Sequence, residues 1–119
     1  MAVHNDLGKK GEEMAVLFLQ KHGYKILERN WRFKKAEVDV IAQKKEVLAV
    51  IEVKTRSSNY FGNPQDFVNQ KKIQLLVEAI NEYVISKDLD VEVRFDIVAI
   101  VQNKNTTKIQ HLEDAFLHF

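Results

Sequence analysis

The sequence predicts an α/β domain in which helices pack on a mixed sheet of about five strands. Three observations carry this expectation. Segments with helical and strand periodicity follow in the order helix, three strands, helix, strand and short strand. No repeat, low-complexity tract or Pro/Gly/Ser-rich linker divides the 119 residues, so one domain over 1–119 is expected. A hydrophobic content of 45% supplies one core of moderate size without crosslinks.

The first helix is "NDLGKKGEEMAVLFLQKHG", with Asn5 or Asp6 as its cap and Gly23 where a helix end favours a left-handed residue. "YKILERNW" is a strand, and "AEVDVIA" and "VLAVIEVKT" are two more, joined by the polar "QKKE". "RSSNYFGN" is a loop. Asn63 then caps a helix opened by Pro64, which carries Ile73, Leu76, Val77, Ile80, Tyr83 and Val84 at the spacing of one buried face. "VEVRFDIVAIV" is a strand, "KNTT" a turn and "KIQHL" a short final strand.

Composition narrows the chemistry. There is no cysteine, which excludes disulfides and zinc–thiolate sites and fits a reducing compartment. No signal-peptide pattern and no run of membrane-spanning length occurs, so no membrane role and a cytoplasmic location are expected. The net charge of +1 gives no global attraction to nucleic acid. Residues 1–35 are nevertheless lysine- and arginine-rich, which reads either as a basic face or as ordinary solvated lysines. The four histidines show no ligand spacing, and neither a Gly-rich phosphate loop nor a Ser-His-Asp pattern is present.

Charges in the two middle strands are the unusual feature. A hairpin centred on Lys45-Glu46 pairs positions whose numbers sum to 91, so Asp39 faces Glu52 and Glu37 faces Lys54. Alternation then gathers these four charges on one face, with Val38, Val40, Ile51 and Val53 on the other. Lys45-Glu46 is not a favoured two-residue turn, though a four-residue loop over 44–47 keeps the pairing. Two opposed carboxylates repel, and a hard divalent ion removes the conflict, since Mg²⁺ takes oxygen ligands and keeps several waters. With Lys54 alongside to hold a water or phosphate oxygen, the group suits phosphodiester hydrolysis. The other reading is a plain Glu37–Lys54 ion pair with Asp39 at a wet strand end. Glu12 lies on a helical stripe with Ala15, Val16 and Leu19. An acid there is costly unless paired or metal-bound, or else sits at the stripe's edge near the helix start. Gly8 and Gly11 beside it would permit close backbone approach.

A helical glutamate (Glu12), a strand aspartate (Asp39) and Glu52-Val53-Lys54 together resemble the PD-(D/E)XK nuclease superfamily. Within it, the segments "GKKGEEMA", "ILERNWR", "AEVDVIA", "VIEVKTR", "VNQKKIQLLVEAINEY", "RFDIVAI" and "IQHLEDAF" resemble the YraN-like family nearly end to end. The chain departs in having Ala36 where that family usually has glycine, a change that matters only if the backbone there needs positive φ. The resemblance implies a restriction-endonuclease-like three-layer core and an Mg²⁺ (or Mn²⁺) site. Asp39 and Glu52 would be direct ligands beside the Val53 carbonyl, with Glu12 acting through water or completing the shell and Lys54 orienting the attacking water. It implies nucleic acid, above all DNA, as the partner. The likeness to archaeal Holliday-junction resolvases suggests branched or repair intermediates and a homodimer.

Arg32 and Lys72 match family positions and read as phosphate contacts, or as surface cations; Thr55 and Arg56 end the Glu-x-Lys strand where a phosphate contact is also expected. Trp31 reads as core, and Glu92, Arg94 and Asp96 as an ion-pair ladder on one strand face. The loop "SSNYFGN" would form a lip over the site. Two functions are therefore expected to compete: an Mg²⁺-dependent endonuclease, and a non-catalytic nucleic-acid-binding module of the same fold.

Overall fold

A computed structural model describes residues 3–56 and 70–115, with side chains from residue 8 onward. The elements are α1 (Val3–Lys21), β1 (Lys25–Phe33), β2 (Ala36–Lys44), β3 (Val47–Arg56), α2 (Gln70–Ser86), β4 (Glu92–Gln102) and β5 (Thr107–Leu112). They form one five-stranded sheet in the order β1-β2-β3-β4-β5. The pairs β1–β2, β2–β3 and β4–β5 are antiparallel, while β3–β4 is parallel and reached through α2. This is the expected mixed α/β sheet with a helix on each face.

The two faces have separate cores. Ala15, Val16 and Leu19 of α1 pack on Val40, Ala42, Ala49, Ile51, Val98 and Ile100. Leu76, Ala79, Ile80 and Tyr83 of α2 pack on Val38, Ile41, Leu48, Val50, Phe95 and Ile97. Full burial of each leucine or isoleucine contributes roughly 1.5–3 kcal/mol. β3 and β4 are apolar towards both helices because both of their faces are covered. The Tyr83 hydroxyl donates to Glu28 Oε2 at 3.1 Å, fixing α2 against β1, and burial with this bond pushes the phenol up to about 12.

Several local expectations are corrected. α1 starts at Val3, so Asn5 and Asp6 lie inside it rather than capping it. Its end is as expected: Gly23 has φ 93°, and the Tyr24 N–H donates to the Leu19 carbonyl at 2.9 Å. Val77 is 37% exposed because the buried stripe of α2 runs through Ala79 instead. The Asn63-Pro64 cap and the "SSNYFGN" lip lie outside the described residues. The β2–β3 hairpin closes by a two-residue turn, with Lys44 paired to Val47 and Lys45 held at φ 55°.

Candidate functional site

The β2–β3 ladder follows the predicted register, from Lys44↔Val47 to Val40↔Ile51, every pair summing to 91. It ends there, just short of Asp39 and Glu52. The cause is a break in side-chain alternation. Val38 packs on the α2 side and Val40 on the α1 side, although residues two apart on a regular strand share a face. The neighbouring strand breaks at the same level: Arg29 reaches Glu13 of α1 at 2.9 Å, whereas Trp31 lies against Tyr83 of α2. Between them Asn30 has φ 51°, a left-handed conformation that asparagine tolerates better than most residues.

Asp39, opposite this kink, turns its carboxylate towards β3 and accepts the Val53 N–H at 2.8 Å on Oδ2. The predicted single face of four charges is thus corrected. Glu52 follows Leu48 and Val50 in alternation towards α2, Val53 faces α1, and Asp39 lies between the layers. Glu37 is exposed and pairs with Arg32 across β1–β2 at 3.3 Å rather than with Lys54. Lys54 Nζ instead stands 3.6 Å from Glu52 Oε1.

Glu52 meets a second cation. Lys72, in the first turn of α2, places Nζ 2.5 Å from Glu52 Oε1. The other oxygen, Oε2, is buried and has no hydrogen-bond partner among the described residues. A buried carboxylate oxygen without a donor costs on the order of 1–3 kcal/mol, which is the pattern of a group shaped for a ligand.

On the other face, α1 lies very close to β3. A Cβ on Gly11 would fall 2.0 Å from Thr55 Oγ1 and 3.2 Å from Thr55 Cβ. Gly11 is therefore what lets the helix seat against the strand and bring Glu12 to its end. Among the described residues nothing lies within 4 Å of such a Cβ on Gly8, so none of them requires a glycine there. Glu12, Asp39, Val53, Lys54, Thr55, Arg56 and Gly8 line one cavity of about 300 Å³. A narrower cleft on the α2 side is lined by Glu37, Asp39, Glu52, Lys72 and Leu76, so Asp39 borders both spaces.

Electrostatics confirm the convergence. Burial is the main cause pushing the Asp39 carboxyl from 3.8 up to about 6. The Val53 N–H opposes this, and the charges of Glu52, Glu12 and Glu37 reinforce it. Among the described residues, no three carboxylate or histidine groups stand close enough to enclose a metal ion by themselves. The donor set still fits a hard ion that keeps its waters, because Asp39, the vacant Glu52 Oε2 and the backbone at Val53 are all oxygen donors, with Glu12 further out.

The model of the uncharacterised protein family UPF0102 matches residues 11–100, a span that holds Glu12, Asp39, Glu52, Lys54 and Lys72. The chain belongs to this family. It is 65% identical to the UPF0102 protein of Flavobacterium psychrophilum over the whole of both chains. It is 60% identical to that of Christiangramia forsetii, again over both full lengths. The UPF0102 protein of Phocaeicola vulgatus is 45% identical over 98% of this chain and 96% of its own. Ala36, the departure from the family pattern, is buried at the start of β2 without positive φ, so the backbone accommodates it.

The expected Arg94–Asp96 pair forms, but the burial and further partners of this second polar centre in the UPF0102 protein escaped sequence reasoning. Asp96 is fully buried. It accepts from Arg94 Nε at 2.9 Å, lies 2.7 Å from His111 Nε2 and accepts the Asp114 N–H at 3.0 Å. Arg94 also donates to the Tyr24 hydroxyl at 2.6 Å. Burial alone would raise the Asp96 carboxyl, but His111, Arg94 and the Asp114 N–H outweigh it and hold it below 3.8. The expected ion-pair ladder is therefore a buried clasp joining β4, β5 and Tyr24 in the α1–β1 connection, with Glu92 left exposed. A charged residue inside the otherwise apolar run "FDIVAI" was the available signal. No helix among the described residues is long and apolar enough to cross a membrane.

Proposed function

We propose that this protein is a divalent-metal-dependent nuclease that hydrolyses phosphodiester bonds in DNA, its site formed where β2 and β3 part. The carrying observation is the convergence of Glu52, Glu12 and Glu37 on Asp39, with Lys54 and an unpartnered Glu52 oxygen beside it. Three further acids around one half-buried carboxyl raise the cost of its charge, and a cationic ligand at Asp39 would relieve it.

The placement of basic residues supports a polyanionic substrate. The chain ends of β3 and β4, the β1–β2 turn and the starts of both helices all lie at one end of the sheet. Lys9, Lys10, Lys34, Lys35, Arg56, Lys71 and Lys104 are exposed there, around the acidic centre. The near-zero net charge conceals this polarity.

Mg²⁺ or Mn²⁺ would supply Lewis-acid activation of water and charge neutralisation at the phosphodiester. Asp39 and Glu52 would hold it with the Val53 carbonyl, and Glu12 would act through water. Lys54 lies within reach of the same space and orients the attacking water by donating to it, with Glu52 fixing its ammonium. Arg56 and Thr55, at the rim of one cavity, and Lys72, in the cleft on the α2 side, would contact flanking phosphates, as would Arg32, which Glu37 holds next to the β1–β2 turn.

The test is cleavage of branched, flapped, single-stranded and duplex DNA with Mg²⁺ or Mn²⁺. Wild type cuts at least one substrate, and Asp39→Ala and Glu52→Ala do not. Equal cutting by all three proteins, or by none, overturns the proposal. Salt-sensitive binding that ignores both metal and Lys54→Ala would instead support a non-catalytic nucleic-acid-binding module.

A further inference from the structure

On the α2 side the narrow cleft beside Asp39 and Glu52 adjoins a cavity of about 270 Å³, lined by Lys35, Ala36, Glu37, Lys72, Leu75 and Leu76. The two spaces share Glu37, Lys72 and Leu76 in their walls, so they are neighbours. Its wall is apolar at Ala36, Leu75 and Leu76, and its rim carries two cations and one acceptor. Nearby on the same sheet face, Phe33 pairs with Ala36 across the hairpin and stacks on Trp31 with rings 6.1 Å apart and 10° from parallel.

We infer that this cavity receives one unpaired nucleobase of a DNA strand, from the nucleotide next to the one whose phosphate meets the acidic centre. The inference rests on the nuclease reading and adds the substrate class: a single-stranded segment, flap or frayed end. The size fits, being just below the range of about 300–1,000 Å³ for pockets that hold larger ligands. The polarity fits as well. A flat heterocycle needs apolar contact on its faces and a few polar groups at its edge, which Leu75, Leu76 and Ala36 and then Glu37 and Lys35 provide. Lys72 ties the two spaces together, because its ammonium touches Glu52 while its side chain lines the cavity. A base held in an intact duplex cannot enter such a recess without leaving its stack, so paired DNA binds less well.

The test is fluorescence anisotropy with a labelled single-stranded oligodeoxynucleotide, its blunt duplex and a series carrying one abasic position each, in Ca²⁺ to prevent turnover. Wild type should bind the single strand more tightly than the duplex. One abasic position should weaken binding by about 5- to 150-fold, the range for loss of one stacked base. Leu75→Trp, which fills the cavity, should erase that position dependence, while the volume-conserving Leu75→Met keeps it. Equal affinity across the abasic series, or a preference for duplex, overturns the inference; the wild-type series decides this even if a variant fails to fold. The outcome is separable from the nuclease reading. Cleavage that needs Asp39 but ignores the abasic series refutes only the base pocket, and a position-dependent affinity without cleavage refutes only the nuclease.

Discussion

Asp39→Asn should make the protein more stable at neutral pH while abolishing its proposed activity. The side chain keeps its shape, and the asparagine oxygen still accepts the Val53 N–H. What disappears is a charge that burial and three neighbouring carboxylates disfavour, as seen in the rise from 3.8 to about 6. Because the folded value lies above the unfolded one, the folded state binds more protons between the two, and its stability falls as pH rises through that window. At 1.36 kcal/mol per tenfold change in proton affinity, the loss at pH 7.5 is about 3 kcal/mol. It shrinks to about 0.5 kcal/mol near pH 4, where the folded carboxyl is almost fully protonated and the unfolded one partly so. Urea unfolding of wild type and Asp39→Asn should therefore show a stability gain for the variant near 3 kcal/mol at pH 7.5 that fades on acidification. Mg²⁺ at a thousand times its Kd should reverse the order by stabilising only wild type, by about 4.1 kcal/mol. A variant less stable than wild type at pH 7.5, or a difference independent of pH, would refute the argument that these acids are mutually strained.

Gly11→Ala gains about 1 kcal/mol of helix propensity but places a methyl against Thr55 Oγ1, so a net loss of about 1–2 kcal/mol is expected, and adding Thr55→Ala should recover it in a double-mutant cycle. Asp96→Asn leaves Arg94 without its buried counter-charge and should cost about 3–5 kcal/mol in urea unfolding at pH 7. The Asp96 carboxyl is held below its ordinary value, so its stabilisation is present above pH 3.8 and should be lost as pH falls further, the reverse of Asp39. Lys45→Gly relieves the left-handed turn residue and should raise stability by about 0.5–1 kcal/mol by the same measurement, without affecting cleavage.

The order of elements and the hairpin register were legible because both depend on local rules. Strand period and turn length are properties of adjacent residues, and the sum of 91 for Val40↔Ile51 follows from them alone. Gly23 was readable for the same reason, since a helix end needs a left-handed residue wherever the helix packs. Family resemblance pointed to Glu12, Asp39, Glu52 and Lys54, and the fold does bring them to one end of the sheet. Their partners were not legible. Glu52 meets Lys72, twenty residues away, because the parallel crossover returns α2 over the end of β3. Asp39 leaves its expected face because the sheet kinks opposite Asn30, and a kink shared by two strands has no signature in either one. Asp96 pairs with Arg94 as expected but lies fully buried, because His111 and the Asp114 amide reach it as well, from other parts of the chain. The sequence determined which residues could pair along each hairpin. Which charges meet was decided only by the tertiary structure, since Coulomb energies depend on distance in space and on desolvation, and neither is a function of spacing along the chain.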